Sequence, residues 1–324
     1  MPRFFFLVAL TLTLSVFGHG GDSLVPKFPL ANKADSLYAR WLTSRAEQTF
    51  VHHAIKGVDT AAADILGVSD AVIAQRLATL DQRSPMDLRF TPDVKNSIQF
   101  YLGRRKEFLG RVIGRSTYYF PIFEAALDRY NMPMELKYLP IIESAMNPSA
   151  TSPVGAKGLW QFMYATGKLQ GLEISSYVDE RMDPVKSTDA ACRYLKKMYD
   201  MFGSWELALA AYNWGEGNVG KAVNRNLKAG QGIAYTDLRM PAETRLYVPK
   251  LQAMENLVAN PQGKGIQLPS IPNHPYFQTV PLPRDMDVAL VARLAEVPID
   301  DFKALNPSAH RPVLLAGGTS QILL

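Results

Sequence analysis

From Pro92 onward, apolar residues recur at helical spacing: Ile98, Tyr101 and Leu102, then Phe108 and Val112, continue one face. Thr91 stands where an N-cap is needed, and Pro92 suits a first helical position. The same pattern predicts helices over about 116–130, 134–144, 158–169, 184–202, 205–213 and 241–258. Asp183-Pro184 reads as a cap followed by proline, and Gly203 as a stop before Ser204-Trp205. No strand-period segment of useful length lies between 92 and 259, so the fold class is mainly α, with a helical domain over 92–260. Upstream, residues 22–33 read as a linker; helical spacing returns over 34–82 at Leu37, Trp41, Ile73, Leu77 and Leu80, giving a linker and helical extension over 22–91. Downstream, six prolines between Pro261 and Pro283 exclude helix over 260–284. A helical stretch near 287–296, Asn306-Pro307, Gly317-Gly318 and Ile322-Leu323-Leu324 then predict a small α+β module over 276–324, of strand–helix–helix–strand order, with its last strand cut short.

The first residues change the picture. Met1-Pro2-Arg3 carries one positive charge, the run Phe4 to Phe17 is apolar, and small and polar residues follow at Gly18 to Ser23. That is the pattern of a secretory signal over 1–21, too short for a comfortable membrane span. Export to the periplasm or cell envelope is expected. No cysteine follows the apolar run, so no acyl chain can be attached there and any membrane association is peripheral. The net charge of +5 suits solubility or attraction to a polyanion. The densest basic runs, Gly103-Arg104-Arg105-Lys106 and Lys196-Lys197, are too short for nucleic-acid binding, which is not expected. A single cysteine, Cys192, excludes an intrachain disulfide and a thiolate metal site. Its helical surroundings suit a small buried hydrophobe.

Three clusters carry candidate chemistry. In Leu139-Pro140-Ile141-Ile142-Glu143-Ser144-Ala145-Met146-Asn147-Pro148, one carboxylate sits among apolar neighbours close to a helix end, with Pro140 kinking or restarting the helix before it. A helical glutamate ordinarily faces solvent. One that faces a cleft is desolvated and can act as a proton donor. In Ser152-Pro153-Val154-Gly155-Ala156-Lys157-Gly158-Leu159-Trp160-Gln161-Phe162, glycines allow a ligand to approach the backbone. There Trp160 and Phe162 could stack on sugar faces, and Ser152 and Gln161 could bond acetamido or hydroxyl groups; the competing reading is a turn with aromatic core anchors. In Ala210-Ala211-Tyr212-Asn213-Trp214-Gly215, a phenol and an amide at a helix end suit a polar cleft wall, or Asn213 and Gly215 simply cap the helix.

Taken in order and at this spacing, Glu143-Ser144, Gly158-Leu159-Trp160-Gln161 and Ala211-Tyr212-Asn213 resemble the lytic transglycosylase catalytic domain of the soluble-lysozyme-like superfamily. Asp179 to Pro184, Ser187 to Ala191 and Glu243 to Pro249 resemble its membrane-bound D-type subfamily, whose lipid-attachment cysteine is absent here. The resemblance covers about 92–260. Val280 to Leu324 resembles a degenerate LysM-type glycan-binding module, best at Leu305-Asn306-Pro307. The family implies a lysozyme-like helical fold and a monomer acting on peptidoglycan glycan strands without metal or cofactor. Glu143 would be the single acid/base, and Ser144, Ser152, Trp160, Gln161, Phe162, Tyr212, Asn213 and Tyr247 would be cleft residues. Many glycosidases use two carboxylates. Asp179, Glu180 and Glu216 are the other acids, each in a polar stretch suited to salt bridges or caps. The implied reaction has Glu143 protonate the oxygen between N-acetylmuramic acid and N-acetylglucosamine, then take the C6 hydroxyl proton as a 1,6-anhydro ring closes. A hydrolase of the same fold and a non-enzymatic glycan-binding protein are the competing readings.

Overall fold

A computed structural model describes residues 90–259, 261, 265–268, 277–317 and 321–324. The signal segment, the linker and the helical extension expected before residue 90 lie outside the described residues.

The main body is helical. α1 (Pro92–Arg104) opens on Thr91, whose hydroxyl accepts the Val94 N–H at 3.3 Å. α2 (Lys106–Arg129) starts ten residues before the 116 that the pattern suggested, and buries Phe108, Leu109, Val112 and Phe123. A 3₁₀ turn (Met134–Tyr138) leads into the short α3 (Leu139–Ser144), so Pro140 marks a restart. α4 (Tyr164–Leu169) follows a loop; α5 (Pro184–Phe202) is capped by the Asp183 carboxylate, which accepts the Val185 and Lys186 N–H groups at 2.9 Å. Gly203, at φ 69°, ends α5, and α6 (Trp205–Trp214) begins on Ser204. α7 (Glu216–Lys228), α8 (Ala242–Arg245) and α9 (Tyr247–Ala259) complete the body.

The alanines of α6 explain its place. Ala208, Ala210 and Ala211 are fully buried, and their small side chains let α6 lie close to α5, α7 and α9. α9 also packs along α1. The core between them is built on Leu109, Phe123, Leu127, Leu136, Leu139, Met146 and Trp160.

Two expectations are corrected. Residues 158–162 are a turn, not the start of a helix: Lys157 and Phe162 exchange backbone hydrogen bonds at 3.0 Å, and Gly158 and Gln161 both have positive φ. α7 is not predicted because Asn213 and Gly215 read as a cap; Gly215 does end α6, with φ 91°, but the chain re-enters a helix at once and buries Val219 and Ala222.

The C-terminal module is α+β with its own small core of Leu282, Val288, Val291, Phe302, Leu314 and Ile322. β1 (Thr279–Pro281) pairs antiparallel with β4 (Gln321–Leu323), and β2 (Met286–Asp287) with β3 (Val313–Leu314). α10 (Val288–Leu294) and α11 (Ile299–Leu305) lie between. The expected order named one strand on each side of the helices where there are two, because strands of two or three residues show no readable alternation. Asn306 ties the ends together: its amide donates to the Leu323 carbonyl at 2.7 Å and accepts the Leu323 N–H at 2.8 Å. The module docks on the helical body through residues 176–179. Asp179 N–H donates to the Ser308 carbonyl at 2.9 Å and His310 N–H to the Tyr177 carbonyl at 2.8 Å.

Candidate active site

Glu143 occupies the last turn of α3 and is only 7% exposed. The chain leaves that turn through two successive left-handed residues, Ala145 at φ 52° and Met146 at φ 61°. Their N–H groups close the helix onto the Ile141 and Pro140 carbonyls. Non-glycine residues in this region are strained, and such strain tends to be held at functional sites. Of the five among the described residues, three (Ala145, Met146 and Gln161) lie in the two loops that follow Glu143.

Facing the carboxylate are phenols. Tyr247, the first residue of α9, donates its hydroxyl to Glu143 Oε1. Tyr212, in the last turn of α6, donates to the Trp160 carbonyl at 2.7 Å. Burial first, and then the nearby Glu143 charge, push both phenols well above their ordinary range, so both remain hydrogen-bond donors. One turn beyond Tyr247, Lys250 is buried; burial lowers its ammonium pKa, against the opposing charges of Glu243 and Glu143.

The loop from Ala150 to Phe162 is tied to Tyr212 through the Trp160 carbonyl. Ser152 N–H donates to the Ala156 carbonyl at 2.9 Å, and Ser152 Oγ accepts the Ala156 N–H at 2.9 Å. Gly158 has no substitute here: its φ is +82°, and a Cβ would lie 1.7 Å from the Arg181 carbonyl. Gln161 donates its amide to the Gly158 carbonyl at 2.8 Å.

The aromatic assignments are corrected. Trp160 is fully buried; its indole N–H donates to Thr188 Oγ1 at 2.9 Å and its ring meets Phe123 edge-on at 5.3 Å. Phe162 is also buried and packs against Tyr194 and Tyr212. Neither ring presents a face to a sugar. They are core anchors whose backbone carries the loop, and Trp160 reaches the site through its carbonyl.

Glu143, Tyr247 and Tyr212 are therefore brought together, while Ser144, Ser152, Gln161 and Asn213 brace the segments around them. Ser144 Oγ donates back to the Pro140 carbonyl at 3.0 Å. Asn213 Oδ1 accepts from Thr244 Oγ1 at 2.8 Å, joining α6 to α8. Sequence reasoning did not single out Thr244, Lys250 or Tyr194. The last packs against Tyr212, its ring tilted and 5.6 Å away between centroids, and donates to Glu216 Oε2 at 3.0 Å. Thr244 lies within the matched stretch Glu243 to Pro249, which was the available signal.

The three other candidate carboxylates are occupied. Asp179, 2% exposed, takes Arg181 Nε at 2.9 Å and Nη2 at 2.8 Å, and Lys157 lies at 3.2 Å. Burial opposes its charge, but those two cations hold its pKa below the usual aspartate value. Glu180 accepts the Glu173 N–H and pairs with Lys186. Glu216 receives Tyr194, with Lys197 at 3.8 Å. No group of three or more His, Cys, Asp or Glu suited to a metal occurs among the described residues.

Residues 120–233 match the transglycosylase SLT domain, and residues 276–324 match the LysM-like domain of lytic transglycosylase MltD. The chain belongs to the SLT-type lytic transglycosylase family. It is 35% identical to membrane-bound lytic murein transglycosylase D of Escherichia coli over 232 residues, 71% of this chain and 51% of that protein. It is 31% identical to a putative tributyltin chloride resistance protein of Alteromonas over 180 residues, 55% of this chain and 84% of that one. With the soluble lytic murein transglycosylase of Escherichia coli it shares 33% identity over 118 residues, 35% of this chain and 18% of that protein. This lytic transglycosylase chain thus spans about half the length of the murein transglycosylase D relative it matches. No helix among its described residues is long and apolar enough to cross a membrane.

Proposed function

We propose that this chain is an exported peptidoglycan lytic transglycosylase of the periplasm or cell envelope. It cleaves the β-1,4 bond between N-acetylmuramic acid and N-acetylglucosamine without water, leaving 1,6-anhydromuramoyl ends. The observation that carries the reading is the buried Glu143 held by the Tyr247 hydroxyl, while Asp179, Glu180 and Glu216 are each bound to a cation, a phenol or both.

Glu143 donates its proton to the glycosidic oxygen as the C1–O bond breaks. The substrate acetamido group stabilises the cation that develops at C1, as in substrate-assisted glycosidases. Glu143, now a carboxylate, accepts the proton of the C6 hydroxyl as that oxygen closes on C1. Protons balance, and no metal or cofactor enters. Tyr247 supports both halves, because its hydroxyl bonds the anionic carboxylate and can release Oε1 when the proton returns. An internal hydroxyl also outcompetes solvent, since well-oriented intramolecular reactions reach effective molarities of about 10⁵–10⁸ M. The LysM-like module is assigned to glycan binding, the chain acts as a monomer, and any membrane association is peripheral.

Mass analysis of digests of borohydride-reduced peptidoglycan tests this. Each new muramoyl end should be one water lighter than a hydrolytic product and should resist further reduction. Reducible ends would make the protein a muramidase and reopen the search for a base among Asp179, Glu180 and Glu216.

A further inference from the structure

Away from Glu143, a cavity of about 860 Å³ opens between residues 130–138, the end of α5, the start of α6 and the end of α9. Two acids line it, Glu135 at 8% exposure and Glu255 at 5%. Glu255 Oε2 is buried and has no hydrogen-bond partner. The walls are aromatic: Tyr130, Tyr138, and a Tyr199–Trp205 pair stacked at 4.3 Å. The two lysines of the lining are already neutralised, Lys137 by Glu124 at 2.6 Å and Lys196 by Asp200. Cations of the chain already lie over three of the rings, Arg129 over Tyr130, Lys137 over Tyr138 and Lys196 over Tyr199, which leaves Glu135 and the partnerless Glu255 oxygen as the acceptors of the lining.

We propose that this cavity binds a primary ammonium group on an aliphatic stem, with Glu255 and Glu135 as acceptors and the tyrosine and tryptophan rings around the stem. A buried carboxylate oxygen without a donor costs free energy that an N⁺–H donor would recover. The rings offer apolar surface to the aliphatic stem. A metal ion fits less well, because two carboxylates with no third acid, His or Cys are a poor ligand set. Burial, helped by the Glu135 charge and opposed by Lys137, pushes the Glu255 carboxyl up to about 8. Ammonium binding near pH 7 should therefore expel the Glu255 proton. Resting on the function proposed for Glu143, the ammonium in the cell wall is a free amino group on the peptide attached to the glycan.

The test begins with titration calorimetry of the full chain with 1,5-diaminopentane near pH 7, in two buffers of different ionisation enthalpy. Saturable binding with proton release is expected, and the doubly N-acetylated diamine should not bind. Glu255→Gln should weaken the diamine roughly 10- to 100-fold, the loss expected for a hydrogen bond to a charged group. Glu135→Gln should weaken it less, and serves if the first variant fails to fold. Absence of saturable binding, equal affinity in wild type and both variants, or displacement by calcium would overturn the site. A second arm uses peptidoglycan. Acetylating its free amines should raise KM for wild type and leave KM of Glu255→Gln indifferent to the treatment. Strand cleavage whose KM ignores acetylation would overturn the peptide source. Diamine binding without any strand cleavage would instead overturn the reading of Glu143 and leave the ammonium site standing.

Discussion

Glu143 and Asp179 are both buried carboxylates in one helical body, yet their surroundings are opposite. Asp179 is gripped by the Arg181 fork and by Lys157, and its own N–H reaches the C-terminal module at Ser308. Glu143 meets phenols, with Tyr247 donating to it and Tyr212 close by, and a buried lysine one turn further on. A guanidinium fork fixes a carboxylate in its ionised form and in one orientation. A phenol stabilises the anion yet lets a proton come and go. The first environment suits a joint between two parts of the fold, the second a group that must change protonation within one turnover.

The largest break in this contrast is expected at Glu143. Glu143→Gln keeps size and hydrogen bonding but carries no transferable proton. General acid–base catalysis is typically worth about 10²–10⁴-fold, and the proposed reaction uses the same group twice, so turnover of purified peptidoglycan should fall at least that far. Thermal melting and glycan pull-down should be nearly unchanged. Near-normal turnover would refute the assignment of Glu143.

At Asp179 the loss should appear in stability. Removing one member of a buried ion pair leaves the other uncompensated and typically costs about 3–5 kcal/mol. Asp179→Asn should unfold at lower temperature, with Arg181 stranded. The pH dependence follows from the lowered native pKa. Between the unfolded and the native values the unfolded chain binds more protons. Asp179 therefore contributes its full stability above the ordinary aspartate value and loses it as pH falls through the depressed native one. Denaturant melts from neutral pH downward should show an acid-side fall for wild type that is shallower in the variant. Equal slopes would mean the ion pair contributes little.

Tyr247 comes next. Tyr247→Phe removes the donor to Glu143 and leaves the ring. A hydrogen bond to a charged group is worth about 1.5–3 kcal/mol, so kcat/KM should drop roughly 10- to 100-fold. If the bond is made chiefly to the anion formed during turnover, the drop falls on kcat. An effect on KM alone would make Tyr247 a plain binding residue.

Helices with sharp caps were legible from residues alone. Thr91-Pro92 and Asp183-Pro184 predict their own starts because the local chemistry of the cap decides them. Glu143 stands out as a lone acid among Leu139, Ile141 and Ile142, but its proposed role comes from the resemblance carried by the three clusters together. The 158–162 turn was not, because its conformation is set by contact with Arg181, more than 18 positions away, and not by nearby spacing. Trp160 and Phe162 show the same limit. Their residue types suit a sugar platform or a core equally, and only the packing of Phe123, Thr188 and Tyr194 around them decides. The Asp179 ion pairs were visible only as a polar stretch.

The smallest expected effects separate bracing from chemistry around Glu143. Ser152 Oγ is spent on the Ala156 N–H, and Tyr212 Oη on the Trp160 carbonyl. Both are neutral hydrogen bonds, worth about 0.5–1.5 kcal/mol each. Ser152→Ala should therefore soften its turn and lower stability by about that much, while changing kcat less than Tyr247→Phe does. Tyr212→Phe releases the Trp160 carbonyl, which ties the end of α6 to the 158–162 turn. It should cost a similar amount of stability and also lower kcat modestly through displacement of that turn. A double variant gives the decisive reading. If Tyr212 acts only by holding the loop, Tyr212→Phe and Ser152→Ala, which brace the same segment, should be non-additive in stability, and Tyr212→Phe should be additive with Tyr247→Phe in kcat. Strong coupling of Tyr212 with Tyr247 in kcat would instead place both hydroxyls on Glu143 during turnover, and the contact with Trp160 would then be a resting position.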